Sequence, residues 1–147
     1  MTTIAYRAGV MASDSGAWIG DASHGWAVKL AKGVDGSLHG VSGNAAQCSA
    51  YLEWVKSGYR GDEPRADAEP DSRSSFIVLI VPPLGPLRLR TARGDEVYEA
   101  PYFSIGAGAP TAYGALFMGA TAEQAIEAAK EHASGAFGHV QSIRHKG

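Results

Sequence analysis

Six consecutive apolar residues, Phe76-Ile77-Val78-Leu79-Ile80-Val81, constrain this chain more than any other feature. A strand that is apolar at every position has no side fit for water, so the run predicts a strand covered on both faces. Pro82, Pro83, Gly85 and Pro86 form a turn after it, and Leu87 to Thr91 follows as a second strand. The basic stretch Arg88-Leu89-Arg90-Thr91-Ala92-Arg93 alternates as a half-solvated strand face does.

The remainder supplies covers for that strand. Thr2 to Arg7 is rich in β-formers, an Ala8-Gly9 turn follows, and Val10 to Asp14 completes a hairpin. Trp26 to Ala31 and Ser37 to Ser42 read as two more strands around a Val34-Asp35-Gly36 turn. From Ala45 to Lys56, the positions Ala45, Cys48, Leu52 and Val55 follow helical spacing, and Gly58 ends the helix. Residues 59–74 are polar, carry two prolines and read as an exposed loop inside a single domain spanning 1–147. Arg93-Gly94-Asp95 makes a turn, and Tyr102 to Ile105 is a strand ending at Gly106-Ala107-Gly108. A helix over Pro110 to Met118 follows. Thr121 with Gln124 forms a capping box opening a helix to His132. Ser134 to Gly138 is a turn, and His139 to Ile143 a last strand. This order suits an α+β protein with two sheets sandwiched between helical layers.

Composition excludes several classes. The net charge is −2 and the 13 Lys and Arg are scattered, which argues against electrostatic nucleic-acid binding. No run approaches the roughly 18 apolar residues of a membrane span, and no signal peptide is evident. The single cysteine, Cys48, excludes an internal disulfide, so a reducing, cytoplasmic setting is the default. The histidines His24, His39, His132, His139 and His145 have no ligand-like pairing, so no metal is expected. Gly106-x-Gly108 has Thr111 where a dinucleotide fingerprint needs its third glycine.

The chemistry concentrates at the N-terminus. Removal of Met1 leaves Thr2 with a free α-amine, whose ordinary pKa of about 7.7–8.0 keeps a usable fraction neutral near pH 7. That amine can take the proton of its own hydroxyl, so nucleophile and base come in one residue. Lys29, flanked by apolar residues, needs a carboxylate if it is buried, and Asp14 can supply it. The ammonium then stabilises an alkoxide and holds the amine's pKa down. Gly43 sits where a strand turns into a helix, so its N–H at the positive helix end is a candidate oxyanion donor. Taken alone, each feature equally fits an edge threonine, a surface lysine, a turn aspartate and a helix-start glycine.

Together they resemble a known family. Thr2-Thr3-Ile4-Ala5-Tyr6-Arg7, Gly9-Val10-Met11-Ala12-Ser13-Asp14-Ser15, Val28-Lys29-Leu30 and Gly40-Val41-Ser42-Gly43-Asn44-Ala45-Ala46 are similar to the motifs of proteasome β subunits and the HslV peptidase. Ile105-Gly106-Ala107-Gly108, Ala112-Tyr113-Gly114-Ala115 and Gly119-Ala120-Thr121-Ala122-Glu123-Gln124-Ala125 extend the likeness into the second half. The resemblance implies a four-layer αββα N-terminal-nucleophile (Ntn) hydrolase fold and a threonine protease with catalytic Thr2, Asp14, Lys29 and Gly43. Ala17, Ala27, Val41 and Ala45 would line a pocket for an apolar side chain. Homo-oligomeric rings, unfolded protein or peptide substrates and an ATP-dependent unfoldase partner are also implied, and no cofactor.

Two departures stand out. The family's Gly-Ser-Gly is Gly106-Ala107-Gly108 here. The family's acidic and hydroxyl residues of the last turn fall on Ala133 and Ala136 in one register, or on Glu131 and Ser134 in another. The alternatives are an inactive ring-forming scaffold and an Ntn amidase acting on a small molecule.

Overall fold

The computed structural model describes residues 1–19, 22–65 and 76–147. Among them run β1 (Thr3–Arg7), β2 (Val10–Ser13), β3 (Gly16–Ile19), β4 (Ala22–Trp26), β5 (Leu30–Lys32) and β6 (Leu38–Gly43), then helix α1 (Ala45–Lys56). There follow β7 (Phe76–Val81), β8 (Leu87–Thr91), β9 (Gly94–Tyr98), β10 (Tyr102–Gly106), α2 (Ala109–Phe117), α3 (Ala122–His132) and β11 (Gln141–Arg144). The strands pair antiparallel in the orders β10-β1-β2-β11, β3-β4 and β5-β6-β7-β8-β9.

The apolar run behaves as its composition requires. Leu79 and Val81 of β7 join Ile4, Met11, Leu30, Leu38 and Ile105 in one buried cluster shared by both large sheets. Phe76, Val78 and Ile80 point the other way, into a cluster with Tyr51, Leu52 and Val55 of α1. Period-two alternation with both faces buried leaves no polar position in the strand. Each large aliphatic side chain buried this way contributes about 1.5–3 kcal/mol.

A third cluster lies on the other sheet. Ala5 and Ala12 of β1 and β2 meet Ala112, Leu116, Ala122, Ala125 and Ile126 of α2 and α3. Alanine on the sheet side lets the helices sit close. Gly40 does the same between the sheets, because a Cβ there would press on Ile4 and the Met11 sulfur at 2.8–2.9 Å.

Several boundaries differ from the sequence reading. Residues 26–31 are not one strand: Trp26 ends a β3–β4 hairpin, residues 27–29 are irregular, and β5 begins at Leu30. The Gly94 turn is tighter than expected, and Gly94–Tyr98 continues as an edge strand exposed along its length. The last strand begins at Gln141 rather than His139. Residues 66–74 of the polar loop and the side chain of His24 lie outside the described residues. The described part of the loop is anchored, since Arg90 pairs with Glu63 at 2.8 Å and the Tyr59 hydroxyl bonds His39 and Asp35.

A candidate active site at the start of the chain

The hairpin register delivers Asp14 beside the chain start. Ile4 pairs with Ser13, so Asp14 emerges next to Thr3, and its N–H donates to the Thr3 carbonyl at 3.3 Å. Asp14 is fully buried and its carboxylate has three donors. Oδ1 accepts from Lys29 Nζ and from the Thr3 N–H, both at 3.0 Å, and Oδ2 accepts from the Phe137 N–H at 3.3 Å.

Lys29 stands in the irregular segment between β4 and β5, where its carbonyl accepts from the Val41 N–H at 3.0 Å. It is 6% exposed. Its ammonium donates to Asp14 and, at 3.1 Å, to the carbonyl of Met1, the bond that leads into Thr2. Burial pulls the Lys29 pKa below its ordinary value, with Asp14 acting against that shift. Burial and then the Lys29 charge likewise lower the Met1 amine, Asp14 opposing.

Thr2 is fixed by its neighbours. Its carbonyl accepts from the Ala107 N–H at 2.8 Å, and the Gly108 N–H donates to Thr3 Oγ1 at 2.9 Å. Gly106 has φ +98°, and a side chain there would collide with the Thr2 carbonyl, so the position requires glycine twice over. Pairing of β1 with β10, Thr3 opposite Gly106, builds this contact.

Gly43 ends β6 opposite Phe76, and Asn44 caps α1 by accepting from the Gln47 N–H at 3.1 Å. The positive end of α1 therefore faces the same space as Gly43. That space is a cavity of about 140 Å³ lined by Thr2, Lys29 and Gly43 together with Ala17, Ala27, Val41 and Ala45. The structure thus gathers around one cavity the residues singled out as site and pocket, with Asp14 directly behind Lys29. Met1 also lines it, so the volume is that of the site with Met1 in place.

Sequence reasoning missed Trp18, Val28, Cys48 and Ser49 in the same lining. The β3 strand went unread, and with it Trp18. Cys48 was legible as a position on the inner face of the helix. Its thiol is pushed up to about 11 by burial, with Lys29 opposing, so it stays protonated. Among the described residues, neither Glu131 nor Ser134 hydrogen-bonds to residues 1–3, and both are exposed. Ala136 is buried, Ala133 is half-buried at the end of α3, and the Met1 side chain rests against Gly135.

No family model matches this chain, and no curated protein matches it. Solved structures do. BPH of Thiobacillus denitrificans aligns over 97% of this chain and 95% of its own, with TM-score 0.65 and 21% identity. Its complex with epoxomicin gives 97% and 96%, TM-score 0.67 and 19%. HslV of Trypanosoma brucei gives 97% and 98%, TM-score 0.68 and 14%. At these identities the likeness is one of fold, and it runs the full length of both partners.

Proposed function

We propose that this chain, sharing the fold of HslV and BPH, is the threonine-type endopeptidase subunit of a self-compartmentalising ring protease. The observation that carries the reading is the buried Lys29–Asp14 pair opening on a cavity that also holds Thr2 and Gly43. A buried ion pair is a poor way to gain stability, so its retention at the mouth of a cavity asks for a chemical reason.

Cleavage of the bond before Thr2 frees its amine. The amine takes the Oγ proton, and Oγ adds to a peptide carbonyl whose oxygen turns to the Gly43 N–H. The C–N bond breaks, the leaving amine carries off the proton, and an ester to Thr2 remains. Water, deprotonated by the same amine, hydrolyses it. Lys29 stabilises the developing alkoxide and keeps the amine neutral, and Asp14 holds Lys29. The small and aliphatic lining supports an apolar side chain before the scissile bond. Helix α1 on one sheet and α2 and α3 on the other support the four-layer αββα reading. Homo-oligomeric rings, an ATP-dependent unfoldase and a cytoplasmic setting belong to the same proposal. Among the described residues no helix is long and apolar enough to cross a membrane.

The test is covalent labelling with a peptide epoxyketone, comparing protein that begins at Thr2 with its Thr2→Ala variant. One label on the first and none on the second is expected, and equal labelling defeats the reading. A scaffold role is favoured by one observation: Ala107 lacks a hydroxyl and offers only its N–H to Thr2. Rings that assemble with the residue before Thr2 still attached would support the scaffold.

A further inference from the structure

We infer that Gln141 and His139 are positioning residues that clamp together the two chain segments carrying Asp14 and Lys29. The inference rests on the peptidase reading for its purpose, and on geometry for its existence.

Asp14 and Lys29 come from stretches flanking the β3–β4 hairpin, and neither stretch is strand at the site. A direct tie joins them, the Ala27 N–H donating to the Ser15 carbonyl at 2.7 Å. Further ties come from residues 137–141. The Phe137 carbonyl accepts from the N–H groups of Ser15 and Gly16, at 3.3 and 2.9 Å, while its own N–H reaches Asp14. The Gln141 side-chain amide donates to the Ala27 carbonyl at 3.3 Å, two residues before Lys29. The His139 ring meets Ser15 Oγ at 3.0 Å, one residue after Asp14.

The amide orientation follows from chemistry. The Ala27 carbonyl can only accept, so the Gln141 atom beside it is the amide nitrogen. That nitrogen also lies 3.5 Å from His139 Nε2, at the outer limit of a hydrogen bond. Nδ1 lies 3.0 Å from Ser15 Oγ, and a hydroxyl can serve as either partner of that bond. One chain of polar contacts, Gln141 to His139 to Ser15, runs beside the bond from Gln141 to Ala27. Trp26 packs edge-on against His139 at 5.9 Å, and Gly138 leaves room for both Trp26 and Ser15 Oγ. Gln141 is itself fixed by β11 pairing opposite Ser13.

The deciding variant is Gln141→Glu, which keeps the shape and loses the donor. In protein beginning at Thr2, the maximal epoxyketone labelling rate should fall about 10- to 100-fold, as small misplacements of reacting groups do, with half-saturating concentration unchanged. Gln141→Leu should match it. His139→Asn, which can still hydrogen-bond to Ser15 Oγ, should stay near wild type while His139→Leu falls. Amide hydrogen exchange at Ala27 should quicken in Gln141→Glu. Wild-type labelling and exchange in Gln141→Glu would overturn the clamp. If wild-type protein fails to label at all, the peptidase reading falls, and Ala27 exchange alone then decides: faster supports the clamp, unchanged overturns it.

Discussion

Two buried polar clusters adjoin strand β6, and they are built on different terms. In one, Lys29 and Asp14 form an ion pair whose cation faces a cavity. In the other, His39 is 3% exposed, with Nδ1 at 2.9 Å from the Tyr51 hydroxyl and Nε2 at 2.9 Å from that of Tyr59. Tyr59 donates its proton to Asp35 Oδ1 at 2.8 Å, so its oxygen must accept from His39 Nε2–H, and Nδ1 must accept from Tyr51. Every proton of that chain is spoken for, and the imidazole is neutral. The cluster over β6 and α1 has its hydrogen bonds satisfied within it around a neutral imidazole, and serves the fold. The Lys29 cluster holds a buried ion pair against a cavity that also takes in Thr2, which is what a site for chemistry needs.

The largest test of that contrast removes the cation. Lys29→Met leaves Asp14 buried with two backbone donors and no counter-charge, and should cost about 3–5 kcal/mol in urea unfolding. Epoxyketone labelling should be abolished. Combining it with Asp14→Asn should recover much of the stability and none of the labelling. If the single variant is as stable as wild type, the pair is not a buried charge pair and the contrast collapses.

Acid should strike the other cluster. Burial lowers the His39 pKa to about 4 from an ordinary 6.5. Between those values the unfolded chain binds the proton and the folded chain does not, so stability rises with pH across the window. The gap amounts to about 3 kcal/mol, fully present above pH 6.5 and lost as pH falls to 4. Denaturant midpoints at pH 4.5 and 7 measure it, and His39→Gln should flatten the slope. A wild-type midpoint that does not move between those pH values would mean His39 is not held neutral by burial.

Much of this was legible beforehand, and the gaps have physical causes. Helix α1, strand β7 and the Thr121–Gln124 capping box fall where spacing and cap chemistry put them, because burial enforces the period in each. Strands β4 (ASHGW) and β9 (GDEVY) were missed because neither alternates apolar with polar. In β9 every residue is exposed, so burial imposes no pattern. The motifs around Thr2, Asp14, Lys29 and Gly43 pointed to one place, and the fold gathers them there. The hydrogen bonds that His39 makes to Tyr51 and Tyr59 and His139 makes to Ser15 were not legible, because these partners lie 12 to 124 residues away in sequence. No spacing rule reaches that far.

A smaller effect separates the clusters further. Tyr59 holds φ at +64°, a conformation costly for a bulky residue, and its hydroxyl both accepts from His39 and donates to Asp35. Tyr59→Phe removes both bonds and should cost about 1–3 kcal/mol in denaturant unfolding. Labelling of Thr2 should stay at the wild-type rate, because the hydrogen bonds of this cluster run among His39, Tyr51, Tyr59 and Asp35 and not to Lys29 or Asp14. A slowed label would instead mean that the position of α1 is transmitted to Gly43, and the two clusters would have to be treated as one.

The smallest effect comes from the exposed end of the chain of donation. Asp35→Asn keeps an acceptor for the Tyr59 hydroxyl and removes only the charge. Exchanging a charged acceptor for a neutral one should cost about 1 kcal/mol or less at this exposed position. The Ser37 N–H and hydroxyl, at 3.2 and 2.9 Å from the carboxylate, should hold the turn in place. Unfolding midpoints at pH 7 measure the loss. A cost near that of Tyr59→Phe would mean that the carboxylate charge, and not hydrogen-bond connectivity, keeps His39 in its place. The cluster would then be electrostatic like its counterpart, and the difference between the two would reduce to whether the adjoining cavity takes in Thr2.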